Sequence, residues 1–292
     1  MQNIKNTSTG ILIVSTVRNC SKNLLKTVEA LDDYFGSTNK QFLFVESDSN
    51  DDTLIILEKL ASSRSNFKYF SLGNLESIIP SRTERIAFCR NKYLEYLHVN
   101  AARFEYLIVV DSDGVVSKVD DSNAFSIPDN NWYALAANVN GFYYDLWALR
   151  AESWCNHDCW KTYRYLIGIG MSEYSSYKIS VWSPMISLNQ RGANLKVNSA
   201  FGGFAIYKVN SIPKSARYIG LDSEGGEICE HVSFNLAIKR NNLNSGMYIL
   251  PGLVVGQSPR EHTKYAGVLG LARFRLRGYI KLALLKFYRF FK

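Results

Sequence analysis

Two aspartates separated by one residue, Asp111 and Asp113, follow the apolar run YLIVV and precede Gly114. Like charges at this spacing repel each other, so a cation between them would stabilise the pair. Carboxylate oxygens are the hard ligands that Mg²⁺ and Mn²⁺ prefer, and such ions also bind diphosphate groups. The pattern indicates either a metal site or a solvated acidic turn, because Asp-X-Asp-Gly is also a common loop sequence.

A second acidic pair, Glu227 and Glu230, lies at the predicted start of a helix over residues 229–240. A carboxylate there can take the proton of a hydroxyl group as that group attacks a carbon atom. The helix dipole alone also favours an acidic residue at a helix start. His231 would orient such a base or contact the attacking molecule.

The elements that position these residues follow from the apolar pattern. Short apolar, β-branched runs alternate with segments of helical spacing, which predicts right-handed βαβ units and a mainly parallel sheet. Ligands of such sheets bind beyond the carboxyl ends of the strands, where Asp111 and Asp113 fall. The predicted strands cover residues 10–17, 41–47, 66–72 and 105–111, and the predicted helices cover residues 21–34, 53–60 and 82–98.

The chain divides into three predicted parts. Residues 1–115 carry the alternating pattern and form a ligand-binding half, and residues 116–265 form an irregular second half of the same domain. Residues 266–292 form a tail whose spacing predicts a basic amphipathic helix of the kind that lies in a membrane interface. The alternatives for this tail are a helix that docks on the core and an oligomer seam.

Charge and cysteine content restrict the class of protein. The 292 residues carry a net charge of +8, and residues 262–292 hold eight basic and no acidic residues, which leaves 26 of each in the body. A neutral body argues against nucleic-acid binding. The five scattered cysteines, the polar first ten residues and the lack of a spanning apolar run predict a cytoplasmic protein, peripheral on the inner face of the cell membrane.

The order of four segments resembles GT-A glycosyltransferases across residues 11–114. These segments are ILIVSTVRN, VESDSNDDT, RTERIAFCRN and VVDSDG. The resemblance implies a GT-A-like α/β fold, a UDP- or GDP-sugar donor, and Mn²⁺ or Mg²⁺ bound by Asp111 and Asp113. It also implies His262 as a third ligand and an acidic general base. The implied donor contacts are Val17, Arg18, Glu46, Asp48, Arg85, Arg90 and Ser112.

The second half shows a narrower resemblance to fungal capsule-associated mannosyltransferases and related bacterial glycosyltransferases. YYDLWALR, NSAFGGFAIY and EICEHVSFN carry it, although Phe201 replaces an expected tryptophan and Asp-Ser-Asp replaces a frequent Asn-Asp. This resemblance implies that the FGGF loop faces the sugar and that the helix start faces the acceptor. The implied acceptor and sugar contacts are Tyr144, Asp145, Trp147, Gly202, Gly203 and His231. Each has a structural alternative, as core packing or a β-bulge.

The expected function is metal-dependent transfer of a sugar to a glycan or a lipid-linked acceptor, in surface polysaccharide or glycolipid synthesis. The anionic membrane surface is the expected partner of the tail. One alternative is a sugar-1-phosphate nucleotidyltransferase. Such an enzyme needs a glycine-rich, basic loop after the first strand, and STVRNCSKN has no glycine. The other is a non-catalytic carbohydrate- or membrane-binding protein. The sequence leaves the donor sugar and the stereochemistry of transfer open.

Overall fold

The structure, a computed structural model, describes residues 2–5, 7, 9–123, 131–266 and 276. Within these ranges eight strands form a single sheet. The strands are β1 (Gly10–Val17), β2 (Lys40–Glu46), β3 (Phe67–Ser71), β4 (Phe104–Asp111), β5 (Trp132–Asn140), β6 (Leu195–Val197), β7 (Phe204–Lys208) and β8 (Gly246–Gln257).

The described helices cover the sheet and connect its strands. They are α1 (Gln2–Lys5), α2 (Leu24–Phe35), α3 (Thr53–Ser63), α4 (Arg82–Val99), α5 (Cys159–Gly168), α6 (Glu173–Tyr177), α7 (Glu230–Asn241) and α8 (Arg260–Thr263). One turn of π-helix, Lys178–Trp182, continues α6. Among the described residues, none of the helices combines the length and the apolar character needed to cross a bilayer.

The order of the strands is β3-β2-β1-β4-β7-β5-β8-β6. Of these eight described strands, all but β6 and β7 run in the same direction. The predicted α/β fold with a mainly parallel sheet is therefore confirmed. The chain moves outward from β1 to β3 and then returns to the other side of β1 as β4. This reversal opens a crevice at the carboxyl ends of β1 and β4, where ligands of such sheets bind.

Alternating side chains of β1 build the two apolar layers of the domain. Ile11 and Ile13 pack into one cluster with apolar residues of α2 and α3. Leu12 and Val14 pack into the other cluster with apolar residues of α4 and α7. Helices thus cover both faces of the parallel part, which explains why its strands read as continuous apolar runs.

The second half is more regular than the sequence predicted. β5 falls within residues 125–200, where weak regular structure was expected, yet it pairs with β7 and β8 inside the sheet. Its sequence, WYALAANVN, is buried at every position except Asn140. Protein covers both faces of β5, so polar and apolar residues do not alternate along it. The sequence therefore lacks the pattern that marks a strand with one exposed face. The amphipathic helix predicted over 268–292 lies outside the described residues, apart from Leu276.

Candidate active site

A cavity of about 450 Å³ opens at the carboxyl ends of β1, β2 and β4. Fourteen of the eighteen residues predicted for the site line it. The four that do not line it are Glu46, Glu227, Gly202 and Gly203. The predicted residues that line it are Val17, Arg18, Asp48, Arg85, Arg90, Asp111, Ser112, Asp113, Tyr144, Asp145, Trp147, Glu230, His231 and His262.

The aspartate pair stands at the centre of this cavity. Asp111 ends β4, and its backbone N–H donates to the carbonyl of Gly203 at 2.9 Å. The hydroxyl groups of Ser112 and Ser15 lie 2.9 Å apart, which fixes the turn between the two carboxylates. Burial, and next the negative charge of Asp113, raise the pKa of Asp111 to about 8. The expected repulsion between the two carboxylates is therefore present in the folded chain.

Arg90 lies between Asp111 and the candidate base. Its Nε donates to Oε1 of Glu230 at 2.9 Å, and its Nη2 donates to Oδ1 of Asp111 at 3.4 Å. The guanidinium also lies 5.4 Å from the ring centre of Phe201, within the range of a cation–π contact. Arg90 is only 4% exposed. It is thus bonded to two carboxylates, whereas the sequence placed it against a diphosphate.

The two glutamates predicted as a catalytic pair occupy different places. Glu230 is the first residue of α7, and it is buried while still lining the cavity. Glu227 accepts hydrogen bonds from Ser81 Oγ at 3.0 Å and from the backbone N–H of Thr83 at 3.3 Å. Although burial acts to raise the pKa of Glu227, these hydrogen bonds lower it. Glu227 thus holds the start of α4, and only Glu230 faces the reaction space.

His231 is a buried aromatic neighbour of the candidate base. Its ring stacks on Phe201 with the ring centres 3.8 Å apart. Neither Nδ1 nor Nε2 has a hydrogen-bond partner among the described residues. Burial, and next the charge of Arg90, hold its pKa well below the ordinary value, so His231 is neutral at physiological pH. Its Nε2 lies 3.7 Å from Oε1 of Glu230, too far for a hydrogen bond.

A further carboxylate, that of Asp145, lines the cavity from the second half. It accepts the backbone N–H of Gly202 at 2.9 Å, and burial raises its pKa. Trp147 lines the same wall, and its Nε1 donates to Asp158 at 2.8 Å. Tyr144 stacks on His262 with ring centres 5.7 Å apart. Tyr144, Asp145 and Trp147 therefore line the cavity together, and their contact with an acceptor stays a prediction.

The glycine pair shapes this wall from behind. Gly202 and Gly203 have φ angles of +69° and +83°, which disfavour any side chain. A Cβ atom at Gly202 would lie 2.6 Å from the carbonyl oxygen of Ala137, and one at Gly203 would lie 2.9 Å from Val115. Because both residues lack a side chain, the loop can pack closely against Ala137 and Val115. The two glycines therefore serve packing within the protein.

The opposite wall contains charged residues that are largely paired. Arg18 donates to Glu76 at 2.7 Å, and Arg85 donates to the carbonyls of Ile79 and Pro80 at 2.8 and 2.7 Å. Asp48 accepts the backbone N–H of Glu76 through Oδ1, while its buried Oδ2 has no hydrogen-bond partner within the described residues. Asp48 is therefore an acid of the second-strand turn with a buried side chain, and its Oδ2 lies 3.8 Å from Nε of Arg85 in an ion pair.

Glu46 differs from Asp48 although both follow from the same motif. Glu46 is 1% exposed, and it is not among the described residues that line the cavity. Its two oxygens accept the backbone N–H of Ser49 at 2.9 Å and the hydroxyl of Ser71 at 2.6 Å. Glu46 therefore holds the turn after β2, a structural role that the spacing alone did not distinguish from ligand contact.

The candidate metal ligands share the cavity without forming a coordination cluster. His262 is an exposed residue of α8 that lines the cavity together with Asp111 and Asp113. Within the described residues, no group of three or more histidine, cysteine, aspartate or glutamate side chains is arranged to hold a metal ion. The chemistry of the aspartate pair nonetheless fits a hard divalent cation, because both side chains offer oxygen and the pKa of Asp111 stays raised, to about 8, despite its contact with Arg90.

Comparison with known proteins assigns the fold to a family. Residues 12–212, which are more than half of the chain, match the model described as glycosyl transferase family 2. The chain belongs to glycosyl transferase family 2. This membership confirms the predicted glycosyltransferase resemblance and agrees with the observed α/β fold. The match to family 2 includes Asp111, Asp113 and Asp145, whereas Glu230 and His262 lie beyond it.

Three solved structures are similar to the chain in fold. The mannosyltransferase PcManGT from Pyrobaculum calidifontis, in complex with GDP-Man and Mn²⁺, is 12% identical with a TM-score of 0.44, over 88% of this chain and 60% of that one. S. aureus TarS 1–349 in complex with UDP-GlcNAc is 16% identical with a TM-score of 0.42, over 89% and 62%. Glucosyl-3-phosphoglycerate synthase from Mycobacterium tuberculosis, in complex with UDP, is 11% identical with a TM-score of 0.41, over 87% and 73%.

The chain spans about three fifths of the length of the first two of these proteins. A comparison with curated proteins finds no match to the sequence. The assignment therefore rests on the family 2 match, and the roles of individual residues rest on the geometry of the cavity.

Sequence reasoning missed two features of this family 2 site. Phe201 was noted only as a departure from a related pattern, yet it lines the cavity and supports both Arg90 and His231. Asp158, which anchors Trp147, was not singled out. An aromatic residue directly before a glycine pair was the available signal for Phe201, and nothing in the local sequence distinguished Asp158.

Proposed function

We propose that the protein is a metal-dependent glycosyltransferase that moves a sugar from a UDP- or GDP-sugar to a glycan or lipid-linked acceptor. The observation that carries the proposal is one cavity in a family 2 fold that holds the Asp111–Asp113 pair and the buried Glu230. Arg90 forms hydrogen bonds with both Asp111 and Glu230. A diphosphate leaving beside Asp111 and a hydroxyl attacking beside Glu230 would therefore lie close to each other.

The donor would bind along the β1–β2 side of the cavity. Asp48 would accept a hydrogen bond from the nucleoside through its Oδ2, with Val17 and Arg18 beside it. Arg85 would support the wall, since it is bonded to two backbone carbonyls. Ser112, whose hydroxyl lies against Ser15, would hold the turn that presents the aspartates to the diphosphate.

The metal ion would be Mn²⁺ or Mg²⁺, held by Asp111 and Asp113, with His262 as the third candidate ligand. When bound, such an ion neutralises the carboxylates and the charge that develops on the departing nucleoside diphosphate. The raised pKa of Asp111 supports this assignment, because a carboxyl group that resists ionisation gains most from a neighbouring cation.

The acceptor would approach from the Tyr144–Trp147 wall. Glu230 would take the proton of the attacking hydroxyl, and Arg90 would hold its carboxylate in place through Oε1. Neutral His231 would contact the acceptor through one of its two unpartnered nitrogens. Asp145 is the second candidate base, because it lines the same side of the cavity and burial raises its pKa.

The tail of residues 266–292 would hold the enzyme on the anionic inner face of the cell membrane. Its basic residues, each contributing about 1 kcal/mol near such a surface, support this placement. A lipid-linked acceptor in surface polysaccharide or glycolipid synthesis would suit an enzyme held there. The nucleotidyltransferase and binding-protein alternatives predict no metal-dependent transfer of sugar.

A thermal-shift panel tests the donor assignment. UDP, GDP, CDP and their sugars are added with and without Mn²⁺ to the wild type, to Asp113→Ala, and to the control Asp33→Ala, which removes an exposed acid of α2. A ligand that binds only the folded state raises stability by RT ln(1 + [L]/Kd), so one nucleotide should stand out. We expect its metal-dependent shift in the wild type and the control, with loss in Asp113→Ala. A lack of response to every nucleotide would contradict the proposal.

A further inference from the structure

Exposed apolar side chains concentrate in one segment outside the cavity. Fourteen large apolar residues are exposed among the described residues, and most are scattered singly. Five of the fourteen fall within the 22 residues from Tyr165 to Ile186, including Tyr165 at 66% and Ile169 at 59% exposure. Scattered exposed apolar residues need no explanation, whereas a local concentration marks an interaction site.

The centre of this segment is Leu166–Met171, of sequence LIGIGM, which comprises the last three residues of α5 and the turn after it, and which we call the apolar tip. Ile167 and Ile169 are exposed, and the glycines beside them are exposed as well. A Cβ atom built on Gly168 or Gly170 would meet no atom within 4 Å. The backbone of the apolar tip therefore stands clear of the rest of the described protein.

A packed aromatic base supports the apolar tip. The ring of Tyr177 lies 4.3 Å from that of Tyr163 and 4.8 Å from that of Trp182, with the second pair stacked. Asp158 caps the start of α5 by accepting the N–H groups of Trp160 and Lys161. The exposure of Ile167 and Ile169 is thus a feature of an ordered unit, in which α5, α6 and the π-helical turn pack together.

Basic residues flank the apolar tip. Lys161, Arg164 and Lys178 are exposed, and Glu173 is the one acidic residue of the segment 159–186. Long basic side chains beside an apolar tip are typical of segments that enter a bilayer interface, because the cations reach lipid phosphates while the apolar groups enter the acyl region.

The continuation of the chain begins on the same unit. Tyr265 packs against Trp182 with the ring centres 5.2 Å apart, and the residues from 267 onward carry seven basic and no acidic side chains. The last described residues before this basic stretch of sequence thus lie on the aromatic base.

We propose that the apolar tip, with Ile179, inserts into the interfacial region of an anionic lipid bilayer and is a membrane contact of the folded domain itself. This contact does not depend on the tail or on the catalytic assignment. α5 is ten residues and therefore about 15 Å long, and its N-cap Asp158 holds Trp147 in the cavity wall. Insertion of the apolar tip would bring the Trp147 side of the cavity toward the headgroups, and only this consequence for the acceptor rests on the proposed function.

Site-specific fluorescence on the full-length chain tests the contact. All five native cysteines are buried, so Ile169→Cys can be labelled selectively with an environment-sensitive dye. Ile55→Cys, at the exposed Ile55 of α3, is the matched control. The probes are vesicles of phosphatidylcholine alone and of phosphatidylcholine mixed with phosphatidylglycerol. We expect a blue shift at position 169 with the anionic vesicles and none at position 55.

A charge series on the labelled Ile169→Cys chain completes the test. Lys161→Gln, Arg164→Gln and Lys178→Gln together should weaken binding to the anionic vesicles by about tenfold or more. Lys22→Gln, Lys26→Gln and Lys59→Gln together, which remove three exposed lysines elsewhere, should leave it unchanged. These readouts require no donor, metal or turnover, so they succeed or fail separately from the proposed enzyme activity.

Three outcomes would overturn the proposal. Unchanged emission at position 169 would exclude insertion, and an equal shift at position 55 would show general adsorption. A blue-shifted emission at position 169 without vesicles would show that protein covers the apolar tip. The cover would be a second copy if the shift grows with protein concentration, and the chain's own tail if it does not.

Discussion

The two walls of the cavity balance charge in different ways. On the β1–β2 wall, Arg18 and Arg85 pair with Glu76 and lie beside Asp48. On the reaction wall, Asp111, Asp113, Asp145 and Glu230 line the same cavity, and among the described residues Arg90 is the cation bonded to two of them. The charged groups of the first wall are mostly paired with each other, whereas the described residues of the second wall carry more negative than positive charge, which is why we propose a cation site there.

The largest expected effect comes from removing the proposed cation site. Asp113→Ala should lower sugar transfer on the order of a thousandfold, because the charge on the leaving diphosphate loses its neutralising ion. Initial rates with the nucleotide-sugar selected by the thermal-shift panel provide the measurement. Asp33→Ala should retain wild-type rates. Near-normal transfer by Asp113→Ala would show that the reaction does not need a metal ion held by Asp113.

Arg90 is expected to dominate the stability of that wall. Arg90→Met leaves Glu230 and Asp111 without their buried partner, and such a change typically costs about 3–5 kcal/mol. Urea unfolding of Arg90→Met and of the double variant Arg90→Met/Glu230→Gln measures the effect. The double variant should recover part of the loss, since the uncompensated glutamate is gone. Equal stability of Arg90→Met and the wild type would contradict the buried pairing.

The choice between the two candidate bases gives the next effect. Glu230→Gln should bind nucleotide normally and lose turnover by about a hundredfold or more, because the proton of the acceptor would have no base. Glu227→Gln is the matched control, and its turnover should change little because Glu227 bonds to the start of α4. If Asp145→Asn loses turnover and Glu230→Gln does not, Asp145 is the base.

The smallest effect is a pH dependence of stability in the metal-free protein. The pKa of Asp111 is raised from 3.8 to about 8, so the folded chain holds this proton more tightly than the unfolded chain does. Asp111 therefore lowers the free energy of unfolding progressively as pH rises from about 4 to about 8.

Urea unfolding in the presence of a chelator measures this dependence. As the pH rises over this range, Asp111→Asn should become increasingly stable relative to the wild type. When Mn²⁺ replaces the chelator, it should stabilise the wild type but not Asp111→Asn. Parallel pH profiles for the two proteins would show that Asp111 ionises in the folded state without penalty.

The parallel half of the fold was predictable from local sequence, and the centre of the site was predictable only in part. β1, β2 and β4 are apolar runs that end in polar turns, so their edges and the position of Asp111 follow from the pattern. β5 does not follow, because a strand buried on both faces carries no alternation.

Pairings across long sequence distances explain what local reasoning could not supply. Arg90 and Glu230 are 140 residues apart, and no local feature separates this buried arginine from a phosphate-binding one. Glu46 and Glu227 were predicted beside ligands because acidic residues in turns look alike in sequence. Their hydrogen bonds to nearby backbone and hydroxyl groups appear only when the turns are built.

The hydrogen bond from Asp111 to the carbonyl of Gly203 limits how this chain can change in evolution or in engineered libraries. Val110 pairs with Phe204, so the Asp111 bond extends the β4–β7 ladder into the cavity. Side chains alternate between the two faces along a strand. Inserting or deleting one residue within β4 would therefore exchange the faces occupied by Val110 and Asp111. Substitutions along the cavity wall are therefore compatible with the fold, while the number of residues in β4 up to Asp111 must stay constant.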